Sequence, residues 1–468
     1  MKRVIQYFFL SLLIVGIQSC SSLVDDLNDD PNNPTDANVN LILVSAQLAD
    51  ITIHEAHVAR VAGLWSGYFT GVGRQYADIY VYNIGASSFS QIWSNIYYGV
   101  VQQSNVILEK SEGVNNQIMI GIVKVLKAHA LGAGATGWGD IPFTEAGQVE
   151  FENPQFDEQE DVFAGLQGLL DEAITSLETG IGSAPTDIFF GGNAAAWIEV
   201  AYTLKARFYL QTRQYALAYA AAGNGISSQA NSMMAPHGNT NSANENTLYT
   251  FVARSRAGDM NSEDAYLVKL LDPSSPDYRG DAKTNEEARY NFNFTAPLFT
   301  AGTEPNTQPG GFAAQTASFP LVTYSENLLI LAEAGARTDF DTGLGHLNDY
   351  RAFLNSGGYL TTVTGALDYQ PYVTTDFQAG GMASVAGFTQ DESLLQEILE
   401  ERYVTFFGQI LGFNDMNRTR KETVGIKLTP NSGTEIPHRF IYGQEEINSN
   451  VNIPSPVPGI FTPTPINE

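Results

Sequence analysis

Cysteine is almost absent from this chain, Cys20 being the only one in 468 residues. That excludes an intrachain disulfide framework and a zinc site built on cysteines. Positive charge is scarce as well, with 24 Lys and Arg against 51 Asp and Glu and a formal charge of −27. Such a surface lacks the basic footprint of a nucleic-acid binder and the polybasic patch that holds anionic lipid, so no nucleic-acid partner is expected. No segment reaches the roughly eighteen consecutive apolar residues of a membrane-spanning helix. Phosphate-loop, Gly-x-Ser-x-Gly, zincin and dinucleotide signatures are missing too. His54 and His57 fall three apart on a predicted helix, but no third ligand accompanies them. The expectation is therefore no catalytic residue, no metal and no cofactor.

What is present can build a large core. Hydrophobic residues make up 43%, charged residues only 16%, and there are 4 Trp, 22 Tyr and 26 Phe. This is not an acidic disordered chain. Lys2 and Arg3 open a short basic region, and Tyr7 to Ile17 form an apolar run of about eleven residues. That reads as a secretory signal over 1–19, too short to span hydrocarbon. Ser19 precedes Cys20, where cleavage and lipidation would turn the signal into an anchor. Residues 20–40 read as a tether, crowded with Asp and Asn around Pro31 and Pro34; the spacing lacks the Gly and distal Glu of a calcium loop.

Apolar positions at helical spacing dominate 41–225. Candidate helices cover Leu41 to Ala62, Ile92 to Leu108, Asn116 to His129, Asp157 to Leu177, Ala194 to Leu210 and Tyr215 to Ala222. No regular alternation of strand and helix appears. The expected fold class is all-α dominated, with degenerate tetratricopeptide-like hairpins. A loop-rich insert follows at 226–320, a helical return at 321–356 and a second loop-rich insert at 357–388. The terminal segment 389–468 opens with a strongly patterned helix near Asp391 and ends as a proline-rich strap.

Several separated blocks then resemble one family. Ile92-Trp93-Ser94-Asn95-Ile96-Tyr97 with Ser104-Asn105-Val106-Ile107-Leu108, the turn Gly137-Trp138-Gly139-Asp140-Ile141-Pro142-Phe143, and Glu326 to Ala334 are similar to motifs of the SusD/RagB-like nutrient-binding outer-membrane lipoproteins. So are Glu400-Glu401-Arg402-Tyr403, Phe413 to Arg418 and Arg439-Phe440-Ile441-Tyr442. The "WGD" form resembles the SusD-like 2 branch. Thr405 and Gln409 stand where that pattern has acids, and Leu411 stands near its basic position. The resemblance implies a lipid anchor at Cys20 facing the cell exterior, and a helical body packed on a SusC-like TonB-dependent transporter. It also implies an irregular lid that captures oligosaccharide or peptide, without catalysis.

The residues themselves offer one dense aromatic stretch between two helices. Trp65, Tyr68, Tyr76, Tyr80 and Tyr82 supply flat apolar faces with polar edges, as sugar binding requires, and Arg74 and Asp78 could hydrogen-bond a ring edge. These seven are the ligand-binding candidates; the bland alternative is that the aromatics pack one hairpin on its neighbour. Trp138 and Asp140 read as a structural turn, and Glu401, Arg402, Asp415 and Arg418 as a salt-bridged lock between the last long helix and a following loop. A glycosidase would need two carboxylates facing each other about 5–9 Å apart, which this local spacing does not set.

Overall fold

The computed structural model describes residues 38–295, 302–360 and 364–468. The signal over 1–19, Cys20 and the tether as far as residue 37 lie outside the described residues. Helices α1 (Val39–Glu55) and α2 (His57–Trp65) come first, and α3 (Gln102–Glu112) continues from a π-helical stretch at Asn95–Val101. Then follow α4 (Gln117–Trp138), α5 (Gln159–Glu178), α6 (Ala194–Gln211) and α7 (Tyr215–Ala222). Beyond the insert lie α8 (Tyr324–Ala336), α9 (Phe340–Asn355), α10 (Gln390–Thr405) and α11 (Ile410–Arg418). Successive helices pack as hairpins, α1 with α3, α4 with α5, α6 with α7 and α8 with α9, each stacked on the next. That is the helical solenoid the periodicity predicts.

Local chemistry sets the ends. Asn116 and Asn193 cap α4 and α6 with their side chains, and Thr389 and Glu392 exchange hydrogen bonds in a capping box that starts α10. Each satisfies backbone N–H groups that a first turn leaves unpaired. One expectation fails. The predicted helix Leu41 to Ala62 breaks at Ala56, because Glu55 is claimed by the insert: its carboxylate accepts from His237 Nε2 (2.9 Å) and Thr247 N (2.8 Å).

Helix α4 is long and apolar enough to cross a membrane by composition, yet most of it is buried inside the solenoid. Glycine lets its neighbours come close. A Cβ on Gly132 would lie 2.2 Å from the Phe208 ring, and one on Gly121 would lie 2.4 Å from Leu177 Cγ.

The inserts are tied down by short antiparallel pairs rather than by a sheet. Met233–Ala235 pairs with Phe319–Val322, so the first insert leaves and returns through one root. Thr70–Gly71 pairs with Met260–Asn261, and Thr284–Asn285 with Asp368–Tyr369. The proline-rich strap carries a short helix at Gln444–Ser449. Because Gly132 faces an aromatic ring with no slack, Gly132→Val should lower stability by about 1–3 kcal/mol. A urea midpoint unchanged from the parent would mean that Phe208 yields freely.

Candidate functional site

The aromatic stretch after α2 divides into buried and open members. Trp65 is only 1% exposed. Its Nε1 donates to the Ile79 carbonyl (3.0 Å), and Phe413, Phe440 and Tyr82 close around its ring at 5.8, 5.8 and 6.4 Å. Tyr68 is buried as well: it stacks on Tyr403 at 4.6 Å and donates its hydroxyl to the Tyr403 carbonyl (2.7 Å). Tyr76 packs on Phe251 at 4.6 Å. Neither face of Trp65 or Tyr68 is open to a cargo ring, and both pack the aromatic stretch onto the solenoid. The reason is the return of the chain: α11 packs against α2 and covers what would otherwise be a surface stripe.

Tyr80 is the half-exposed tyrosine of the stretch, at the end of a short helix Arg74–Tyr80. Non-glycine residues with positive φ bracket that helix, Arg74 at +48° and Tyr82 at +70°. Each costs about 1 kcal/mol or more, and each has a partner holding it. Arg74 pairs with the buried Asp259 and donates to the Ala257 carbonyl (3.2 Å). The Tyr82 hydroxyl accepts from Asn431 N (2.7 Å), while Asn431 Nδ2 donates to the Leu64 and Tyr80 carbonyls (3.1 and 3.2 Å). Asp78 is exposed.

Two open clefts flank this short helix. The first, about 530 Å³, lies between Tyr80, the insert residues Asp264, Tyr266, Lys269 and Asp277, and the segment Lys427 to Asn431. Burial pushes the Tyr266 hydroxyl up to about 12, helped by Glu400 and Asp277, and burial and Asp264 raise Tyr80. Both phenols are therefore neutral at pH 7 and can donate. Two rings with polar edges, flanked by carboxylates, amines and an amide, make a grip for a polyhydroxylated ring. The second cleft, about 410 Å³, lies on the Gln75 and Tyr76 side and reaches His57, Arg60 and Arg256. A cavity of about 450 Å³ near Phe292, Phe312 and Phe407 carries no charged side chain among its described lining residues, its polar groups being amides and hydroxyls such as Asn293, Thr405 and Gln409.

The sequence matches the SusD-like 2 family, described as starch-binding and associating with outer membrane, over residues 31–442. The chain belongs to the SusD-like family. It has the fold of a SusD/RagB family protein from Bacteroides thetaiotaomicron (20% identity, 89% of this chain and 95% of that one, TM-score 0.67). A chitin-binding SusD homolog from Flavobacterium johnsoniae is similarly related in fold (18% identity, 88% and 94% covered, TM-score 0.65). So is a SusD homolog from Parabacteroides distasonis (14% identity, 92% and 97% covered, TM-score 0.70). No curated relative matches the sequence. Membership makes it an outer-membrane-associated, carbohydrate-associated binding protein rather than an enzyme, in a family whose context implies a SusC-type partner.

The SusD-like motifs now have physical roles. At the "WGD" turn Gly139 takes φ +85°, whereas Gly137 stays helical and admits Phe440, whose ring would lie 2.8 Å from a Cβ there. Trp138 Nε1 donates to the Ile441 carbonyl (2.7 Å), Arg439 donates to the Trp138 carbonyl, and Asp140 Oδ1 accepts from Gln159 N (2.9 Å) at the start of α5. The turn docks the C-terminal strap onto the solenoid. The terminal motif is split differently from its expected form, since Asp415 and Arg418 lie on helix α11 rather than on a loop. Arg402 grips Asp415 (2.7 and 3.1 Å), and Arg418 reaches Asp415 (2.9 Å) and both oxygens of Glu333 on α8 (2.6 Å each). Glu401 turns to the insert instead, meeting Arg289 (2.5 Å) and Arg279 (3.1 Å). In place of an acid, Thr405 bonds the Tyr350 hydroxyl at 2.5 Å. Glu333, Arg279 and Arg289 were not singled out from sequence, because their partners on other helices lie 69 to 122 residues away in the chain.

His54 finds its partner in His129 rather than in His57. The rings stack at 3.6 Å and 3°, with His129 Nδ1 2.9 Å from Asp50 Oδ2. These three residues bring ligand-type atoms within 4.8 Å of one another. A shared ion would have to sit far out of both parallel ring planes, so the cluster is better suited to hydrogen bonding. Burial lowers His54 to about 3 and lifts Asp50 to about 6.

Burial opposes the charge on Glu401, but Arg279 and Arg289 outweigh it and hold the group at about 2. Glu333 is likewise held low, burial being overcome by Arg418, Arg337 and Arg402. Both folded values lie below the unfolded one, about 4.3, so their stabilisation is present above it and lost as pH falls toward 2. Glu397 has the opposite sign: burial raises it to about 7, so its contribution is complete below about 4.3 and fades as pH rises through 7. Urea unfolding should thus show a steep loss of stability between pH 4 and 2, roughly the range between the unfolded and folded values. Arg418→Ala, which removes the guanidinium bonding both oxygens of buried Glu333 and leaves it only Arg337 and Arg402, should cost about 3 kcal/mol at pH 7.

Proposed function

We propose that this SusD-like protein captures oligosaccharides at the outer surface of the outer membrane and passes them to a SusC-like TonB-dependent transporter. Lipid on Cys20 holds it there through the 20–40 tether. The reading is carried by one observation: Tyr80 and Tyr266 border an open cleft whose walls also include Asp264, Asp277, Lys269, Lys427 and Asn431. Rings of this kind stack on the C–H face of a sugar, and the acids, amine and amide pair its hydroxyls, so a wrong stereochemistry leaves polar groups unpaired. The family's starch-binding description and the chitin-binding relative in Flavobacterium support sugar as the cargo over peptide. Trp65 and Tyr68 are buried and do not touch cargo.

Isothermal titration with a panel of neutral oligosaccharides tests this. Tyr80→Ala and Tyr266→Ala should each weaken binding by about 1–2 kcal/mol, roughly five- to thirtyfold, with the urea midpoint little changed. Trp65→Ala should instead cost about 3–5 kcal/mol of stability. Unaltered affinity in both tyrosine variants would remove this cleft from the function.

A further inference from the structure

The second cleft differs from the first in charge. Arg60 is the lone charged residue on α2, whose remaining positions are mostly apolar. Its Nε donates to the Tyr76 hydroxyl (2.8 Å) and its guanidinium lies 4.5 Å over the Phe251 ring. Among the described residues no carboxylate comes within ion-pair distance of it. Across the cleft, Arg256 Nη2 donates to Gln75 Oε1 (3.0 Å), and its Nε sits 3.4 Å from Asp259 Oδ2. Asp259 is already paired with Arg74. Arg74 and Arg256 therefore share one carboxylate and Arg60 has none, in a chain with more than two acids per base. Asp78, on the same short helix as Arg74, forms no ion pair with them among the described residues.

The hydrogen bonding points the same way. The Tyr76 hydroxyl accepts from Arg60 and lies 3.1 Å from His57 Nδ1. The phenol's single hydrogen satisfies Nδ1 when the imidazole hydrogen sits on Nε2, and Nε2 meets no protein acceptor although it is buried. Burial, with Arg60 and Arg256 nearby, lowers His57 to about 4, so at pH 7 it is a neutral donor. The cleft presents the terminal nitrogens of Arg60 beside the guanidinium of Arg256, while His57 Nε2 is closed off from it. The chemistry that completes such a set is a carboxylate, which a guanidinium receives through parallel hydrogen bonds.

We infer that this cleft binds the carboxylate of a hexuronate unit, so that the captured glycan is acidic. The hydroxyls of Ser87 and Ser88 and the amide of Gln75 line the same cleft and suit the remaining ring oxygens. The inference rests on the carbohydrate reading above. It is tested by isothermal titration of the whole chain with galacturonate, glucuronate and mannuronate trisaccharides and with their methyl esters. At least one acid should bind tenfold or more tightly than its ester. That preference should collapse in Arg60→Gln, weaken in Arg256→Gln, and shrink in 0.5 M salt, about the concentration where a Debye length falls to ~4 Å. Circular dichroism on each variant establishes that it is folded. Equal affinity for acid and ester, or a preference that survives Arg60→Gln, overturns the inference. If neutral oligosaccharides bind and lose affinity in Tyr80→Ala while no uronate is preferred, the acidic-cargo inference alone falls; if no sugar binds, both readings fall.

Discussion

Two adjacent residues on α10 hold the molecule together by facing different ways. Glu401 and Arg402 are about 100° apart around a helix. Glu401 is clamped by Arg279 and Arg289 from the first insert, while Arg402 engages Asp415 on α11 and Glu333 on α8. All of these ion pairs are nearly or fully removed from water. Desolvating each ion costs several kcal/mol, so such a network adds little net stability over a well-packed apolar core. What it supplies is selectivity of contact. A carboxylate left alone in this interior is costly, so the pairing disfavours other registers of insert, solenoid and terminal helices.

That constraint explains how irregular chain can carry a binding face. The first insert is rooted by the Met233–Ala235 and Phe319–Val322 pair, pinned at Glu55 through His237 and Thr247, and clamped at Arg279 and Arg289. Between those anchors, Asp259 reaches Arg74 and Tyr266 packs on Tyr403. The aromatic loop after α2 is fixed from three directions: by α11 beneath, by the insert through Thr70–Gly71, and by Asn431. Positive φ values at Arg74 and Tyr82 survive only because such partners over-determine them.

The sequence was most legible where contacts are local. Helical periodicity located Tyr215 to Ala222 to the residue and placed a helical return over 321–356, because side chains three and four apart decide such elements. It missed the break at Ala56, which depends on residues nearly two hundred positions away. The aromatic stretch was recognisable as special, but a tyrosine or tryptophan has the same composition whether it lies under α11 or on a surface, and only the return of the chain separates Trp65 from Tyr80. Tyr266 and Asn431 gave no signal, Tyr266 opening a short helix inside the insert and Asn431 lying in a loop. Arg60 did carry one, as a lone cation in the apolar run Val58 to Trp65, and such an isolated charge in a buried stripe merits a search for its partner.

The overall charge of −27 does not argue against an acidic cargo, because the two fields act over different distances. At physiological salt the Debye length is about 8 Å, so most surface carboxylates are screened from a ligand seated between Arg60 and Arg256, whereas a direct contact is not. The distant charge acts mainly on approach, slowing association of long polyanions, while the local guanidinium groups act on residence. A short uronate-bearing fragment meets only a few of the repelling groups at once; a polymer meets many. For the acidic cargo inferred above, the same arrangement would favour short fragments over the polymer from which they come. Open clefts also suit release, since a site enclosed on all sides would have to unfold part of its wall before handing the cargo on.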